Sequence, residues 1–301
     1  RFHMACRLTA MLKLQWHIIA RTDDICNIET EDLRSHGKFP DCALQMKVSW
    51  SKNVLSEEQC PDQILLGASN TDYCVLVGLA CYLESTLMAG NNKEFLFADS
   101  QMTTVTDEDG NEVLEERGPD NLNAKYRRHL TKIWKKDSFT AISVLTRGPL
   151  GTHSVRKAPA TFASECGKVQ DHIEIRGRWK GARGGKTVHR YISTEQLPTD
   201  AAMASCLAVG GPVKYKVKSD AHVTAAFLVE HVVPSIHEFY STDGSNQIAQ
   251  VLGPALLWAA FQPELKPLMS SQVYERIQTA YSHVRGAHGD DYNPVERVPL
   301  H

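Results

Sequence analysis

GTHSVRKAPATFA at residues 151–163 and RGRWKGARGGKTVHRYIS at 176–193 are the two stretches whose reading decides the fold. In the first, His153 and Arg156 stand three residues apart at the start of a helical pattern, so both side chains project from one face. Arginine offers a planar fork that suits phosphate oxygens, and histidine exchanges protons near neutral pH. Pro159 must then lie in the first turn of that helix or kink it. In the second stretch Trp179 opens a Gly-rich basic run that reaches Tyr191, a phenol such a run can swing toward an activated phosphate. Each piece alone has an ordinary reading: a chance HxxR pair, or one of nine tyrosines packed in a core. GARGGKT also imitates a phosphate-binding loop, but Lys180 occupies the position where that motif needs its first glycine.

Around these stretches the charge is sorted. The whole chain of 301 residues carries a net charge of only -2, yet Lys125 to Arg190 holds sixteen Lys and Arg against four Asp and Glu. Lys157, Arg176, Arg178, Lys180, Arg183, Lys186 and Arg190 are the basic residues nearest the two motifs, in a stretch with the footprint of a surface that tracks nucleic-acid phosphates, DNA or RNA. The bland alternative is a solvated basic helix face. The segment before it is acidic, densest in TDEDGNEVLEERGPD at 106–120, and is read as a loop. An apolar fraction of 42% fits an ordinary globular chain, and no apolar run reaches the roughly 18 residues of a membrane span. Eight cysteines without a CxxC pair fit reduced thiols of an intracellular protein, nuclear if the source is eukaryotic. No metal box is recognisable among thirteen histidines, so no metal or other cofactor is expected. The chain opens on Arg1 instead of Met, which suggests a fragment with an N-terminal portion missing.

Upstream, apolar residues at helical spacing predict a buried helix over 4–20, and Thr22-Asp23-Asp24 starts another. Arg21 stands at that start with Asp24 on the next turn, placed to hold the guanidinium, although a surface arginine beside a capping acid reads the same way. CALQMKVSW at 42–50 alternates as a strand. Lys52 follows it and can reach a DNA groove from a hairpin, with Lys47 a rival for that role. Residues 72–88 read as a core helix, 121–136 as a basic helix, and 221–240 and 246–261 as the clearest of several later helices. The fold class expected is mainly α with a small antiparallel sheet.

In this order the segments resemble the tyrosine recombinase (phage-integrase) catalytic domain, with a flavour closest to recombinases of eukaryotic mobile elements. The family pattern is Arg with an acid two or three residues on, a hairpin Lys, HxxR, His or Trp, then Tyr. Arg21 with Asp24, Lys52, His153 with Arg156, Trp179 and Tyr191 match it in turn. Arg156 and Trp179 are 23 residues apart, as the family leads one to expect. Trp179 and Tyr191 are 12 apart, a few more than usual, and Lys157 and Pro159 replace a common His and a common aromatic. The resemblance covers roughly residues 10 to 195 and implies DNA cleavage and rejoining through a 3'-phosphotyrosyl intermediate, without ATP or metal. It also implies double-stranded DNA as partner, a homo-oligomer on that DNA and no membrane. Residues 1–199 would form the catalytic domain, and 200–301 a helical extension for packing or oligomerisation. The alternatives are a catalytically inactive DNA-binding relic, a type IB topoisomerase-like enzyme, and a helical scaffold with an accidental match.

Overall fold

The computed structural model describes residues 2–51, 62–89, 94–97, 99–106, 112–117, 119–139, 150–179, 197–241, 247–289 and 292–300. The first helix, α1 (Phe2–Ile18), turns Ala10, Met11, Leu14 and Ile18 into the core and buries Lys13, Gln15 and His17 as well. Those polar groups are admitted because each is bonded: Lys13 donates to the Thr71 carbonyl at 2.6 Å, and Gln15 to the Ala20 carbonyl at 3.0 Å. After a left-handed Ile19 (φ 48°) the chain enters α2 (Thr22–Cys26).

Three antiparallel strands follow. β1 (Leu33–Ser35) pairs with β2 (Ala43–Met46), with Leu33 opposite Met46, and β2 pairs with β3 (Gln63–Ala68), with Ala43 opposite Leu66. Every residue of β3 is buried, and so is nearly all of α3 (Val75–Leu87), which packs on both β3 and α1. The strand expected over 42–50 is therefore shorter than its alternating pattern. Among the described residues only Ala43–Met46 finds ladder partners.

The acidic stretch expected to be a loop contains strand instead. β4 (Asp99–Thr106) and β5 (Glu112–Arg117) form a separate antiparallel ribbon, with Thr106 opposite Glu112. The sequence signal was present in the β-branched run Thr103 to Thr106 and in the turn-forming Asp-Gly that follows, masked by the density of acids. The basic helix is α4 (Pro119–Trp134), which buries Leu122, Tyr126 and Leu130 at a spacing of four and turns its cations outward. Next come α5 (Thr152–Glu165) and α6 (Gln170–Gly177). Pro159 lies in the interior of α5 and is buried, beyond the first turn that suits a proline best.

Beyond the 199/200 boundary the same sheet continues. α7 (Leu197–Leu207) leads to β6 (Pro212–Val217), which pairs with β3, and β7 (Val295–Pro299) pairs with β6, giving the order β1-β2-β3-β6-β7. At the β3–β6 crossing a Cβ on Gly67 would stand 2.6 Å from the Val213 carbonyl oxygen, so only glycine lets the strands close. The helix expected over 221–240 is broken into α8 (Ala225–Phe227), a π turn (Leu228–Val232) and α9 (Pro234–Tyr240), because Pro234 cannot continue the hydrogen-bond ladder. α10 (Ile248–Ala260) is buried along nearly its whole length, and α11 (Ser271–Val284) packs beside it. A large cluster running from Cys6 to Val295 forms the main core. The fold class is mainly α with a small antiparallel sheet, as the sequence led us to expect.

Candidate functional site

The first turn of α5 brings the HxxR pair to one place. Gly151 takes an extended conformation and its N–H donates to Ser154 Oγ at 3.0 Å, fixing the start of the helix. His153, exposed, and Arg156, buried, then face the same open cleft of about 980 Å³ as bounded by the described residues. Arg21, Lys157, Glu174 and Trp179 also line it.

Arg156 is the centre of this arrangement. Its guanidinium lies 4.1 Å from the Trp179 ring centroid and donates to the Gly177 carbonyl, while its Nε is buried without a hydrogen-bond partner among the described residues. Burial, then the Arg21 and Arg178 charges, pull its pKa down to about 10, and Asp24 works against them. At neutral pH Arg156 remains a cation, with the Arg21 and Arg178 charges against it and the Asp24 carboxylate in its favour.

Arg21 precedes α2 and is half-buried, and its guanidinium donates to Ser51 Oγ at 3.4 Å. Asp24 does not hold that guanidinium, contrary to expectation. Its carboxylate accepts the Arg21 backbone N–H at 2.9 Å and pairs with Arg178 at 3.2 Å, in an ion pair with both side chains 0% exposed. The reason is geometric: three residues on along a helix start, a carboxylate folds back onto the free backbone amide.

Two of the basic residues expected to contact DNA are internal. Arg176 is 2% exposed, donates to the carbonyls of His17 and Ile64 at 2.8 Å each, and pairs with Asp200. Arg178 is 5% exposed and donates to Asp24, with a longer contact to the Ile18 carbonyl. Their charge is used to tie α6 to the end of α1, where free carbonyls need donors. Lys157 is exposed at the cleft. Lys52, Lys180, Arg183, Lys186, Arg190 and Tyr191 lie outside the described residues. Lys47, the rival of Lys52, is half-buried; its backbone N–H donates to the Asp32 carbonyl.

Sequence reasoning missed Ser51 as the partner of Arg21. No motif marks it, and only its place one residue before Lys52 could have drawn attention. The arrangement can bind an oxyanion: Arg21 and Arg156 supply converging donors, and His153 a proton-exchanging group at the same cleft.

Fold and site together define a mainly α protein with a small antiparallel sheet and a cleft lined by Arg21, His153, Arg156, Lys157 and Trp179, with Glu165 and Glu174 also on its wall. No protein-family model matches the chain, and no curated protein matches it. Among solved structures the chain is similar to one in "FLP Recombinase-Holliday Junction Complex I", at 15% sequence identity and a TM-score of 0.43, over 95% of this chain and 60% of that one.

Proposed function

We propose that this protein cleaves and rejoins DNA strands as a tyrosine recombinase does, with the Arg21–Arg156 cleft holding the scissile phosphate. The observation that carries the reading is Arg156 itself. It is a buried guanidinium whose Nε has no partner among the described residues, stacked on Trp179 and flanked by Arg21, where a non-bridging phosphate oxygen would complete its bonds.

The chemistry then follows from what a phosphodiester needs. Arg21 and Arg156 offset the charge that grows on the non-bridging oxygens as phosphorus becomes pentacoordinate. Trp179 can add its indole N–H, which is a donor only. The Tyr191 phenolate oxygen attacks phosphorus and forms the 3'-phosphotyrosyl bond as the bond to the 5'-oxygen breaks. His153 accepts the phenol proton, and Lys52 protonates the departing 5'-oxygen. Rejoining reverses these steps with a different 5'-hydroxyl, and the phosphotyrosyl bond conserves the energy required. Duplex DNA would run along the basic surface next to the cleft, with affinity that falls steeply with salt.

A nicked suicide substrate tests this directly. The protein should form a denaturation-resistant adduct with DNA, and Tyr191→Phe should abolish the adduct while leaving binding intact. An adduct of undiminished yield in Tyr191→Phe would remove Tyr191 as nucleophile. DNA binding without any adduct would favour the non-cleaving relic.

A further inference from the structure

The tripeptide Arg176-Gly177-Arg178 ends α6 with a residue that is costly to place there. Arg178 adopts the left-handed conformation (φ 54°, ψ 44°) that glycine takes most easily at a helix end. A helix stop alone would not call for arginine, so the side chain must repay the conformation. It donates to the Ile18 carbonyl at 3.4 Å, to the Arg176 carbonyl at 3.1 Å and to Asp24 at 3.2 Å. Ile18 is the last residue of α1, and Arg176 takes the neighbouring His17 carbonyl. The two guanidinia thereby close the C-terminal end of α1, immediately before the turn that delivers Arg21.

From this buried point two bonded paths lead to the cleft. Through its side chain Arg178 holds the Asp24 carboxylate, which accepts the Arg21 backbone N–H. Through its backbone it is joined to Trp179, whose ring packs against the Arg156 guanidinium. Arg178 itself is not among the residues lining the cleft.

We infer that Arg178 is a positioning residue: a buried clasp that fixes Arg21 relative to the Arg156–Trp179 stack, and not a contact to DNA. The inference rests on the reading of the cleft as a phosphate site. Lysine in its place would keep the charge but lose the planar fork that serves several acceptors at once, so the two halves of the cleft would drift apart. A misplacement of about 1 Å between reacting groups can cost roughly a hundredfold in rate.

The test compares wild type, Arg178→Met and Arg178→Lys for duplex binding across a salt series and for adduct formation at saturating DNA. A clasp predicts unchanged affinity and salt slope, adduct formation slowed about 100-fold in Arg178→Met, and partial recovery in Arg178→Lys. A phosphate contact predicts the reverse: weaker binding, a salt slope lower by about one, and an unchanged rate at saturation. That result would overturn the clasp, as would wild-type rates in both variants. Should Arg178→Met lose its helical circular dichroism, Arg178→Lys decides alone, with a slowed rate at unchanged affinity in favour and a wild-type rate against. If wild type forms no adduct, the phosphodiester chemistry fails, and the clasp is judged on inorganic phosphate bound in the cleft. Binding about tenfold weaker in Arg178→Lys supports it, and equal binding overturns it.

Discussion

His17 shows what burial does to a single titratable side chain in this protein. It is completely buried in α1, its Nε2 meets the Tyr73 carbonyl at 2.9 Å, and its Nδ1 has no partner among the described residues. Burial foremost lowers its pKa from 6.5 to about 3; the Tyr73 carbonyl opposes this, and the Arg176 and Lys13 charges add to it. In the unfolded chain the imidazole takes up a proton near pH 6.5, which the folded chain refuses until about pH 3. The stability this neutral histidine contributes is therefore complete above pH 6.5 and is lost as pH falls through the window below it. Unfolding free energies from urea titrations between pH 4 and pH 7 should fall with acid, and His17→Gln should flatten that slope by at most about 1.4 kcal/mol per pH unit. An identical slope in the variant would refute this account. Arg156 is the counterpart at the cleft, since burial lowers its pKa too, but only to about 10, and its positive charge survives at neutral pH.

Between elements, the joints are buried charges whose partners come from distant parts of the chain. Glu84 on α3 is 0% exposed; it accepts from the Ser235 and Ile236 backbone amides at 3.3 and 3.0 Å and pairs with Arg276 of α11 at 2.7 Å. One carboxylate thus caps α9, whose Pro234 cannot donate, and ties it to α3 and α11. Removing it leaves two amides unsatisfied and strips the Arg276 guanidinium, still bonded to the His231 and Val232 carbonyls, of its counter-charge. Glu84→Ala should destabilise by about 3 kcal/mol in chemical denaturation, with the change in the midpoint and not in the slope. A loss under about 0.5 kcal/mol, the scale of an ordinary surface substitution, would contradict the joint. Helix periodicity made α1, α3, α4 and α10 legible within a few residues of their ends. The ends of α8 and α9 were not, because a π turn and a proline interrupt one apolar pattern that reads as continuous.

At the scale of the whole molecule, residues 200–301 supply two of the five strands and the buried helix α10, which packs on α3. A chain ending at Thr199 would leave the β3 edge unpaired and a large apolar face of α3 open to water. Such a chain should lack the cooperative thermal transition of the full-length chain when both are followed by circular dichroism. A sharp transition in the short chain would show that residues 1–199 fold by themselves.

The sequence by itself determined the helical class, the presence of a sheet, and the residues that meet at the cleft. Arg21, His153, Arg156 and Trp179 were singled out by residue type and spacing, and the structure gathers all four around one opening. Local chemistry accounts for His153 and Arg156, because an i, i+3 pair on a helix shares a face wherever the helix ends up, whereas packing brings Arg21 and Trp179 to that pair. Tertiary structure alone decided which charges serve the cleft and which serve the fold. Arg176, Arg178 and Lys157 look alike in a basic run, yet two are buried against α1 and one faces solvent. That choice depends on which carbonyls and carboxylates, 24 to 160 residues away, approach each guanidinium. No local pattern encodes such an approach; packing of the whole chain does.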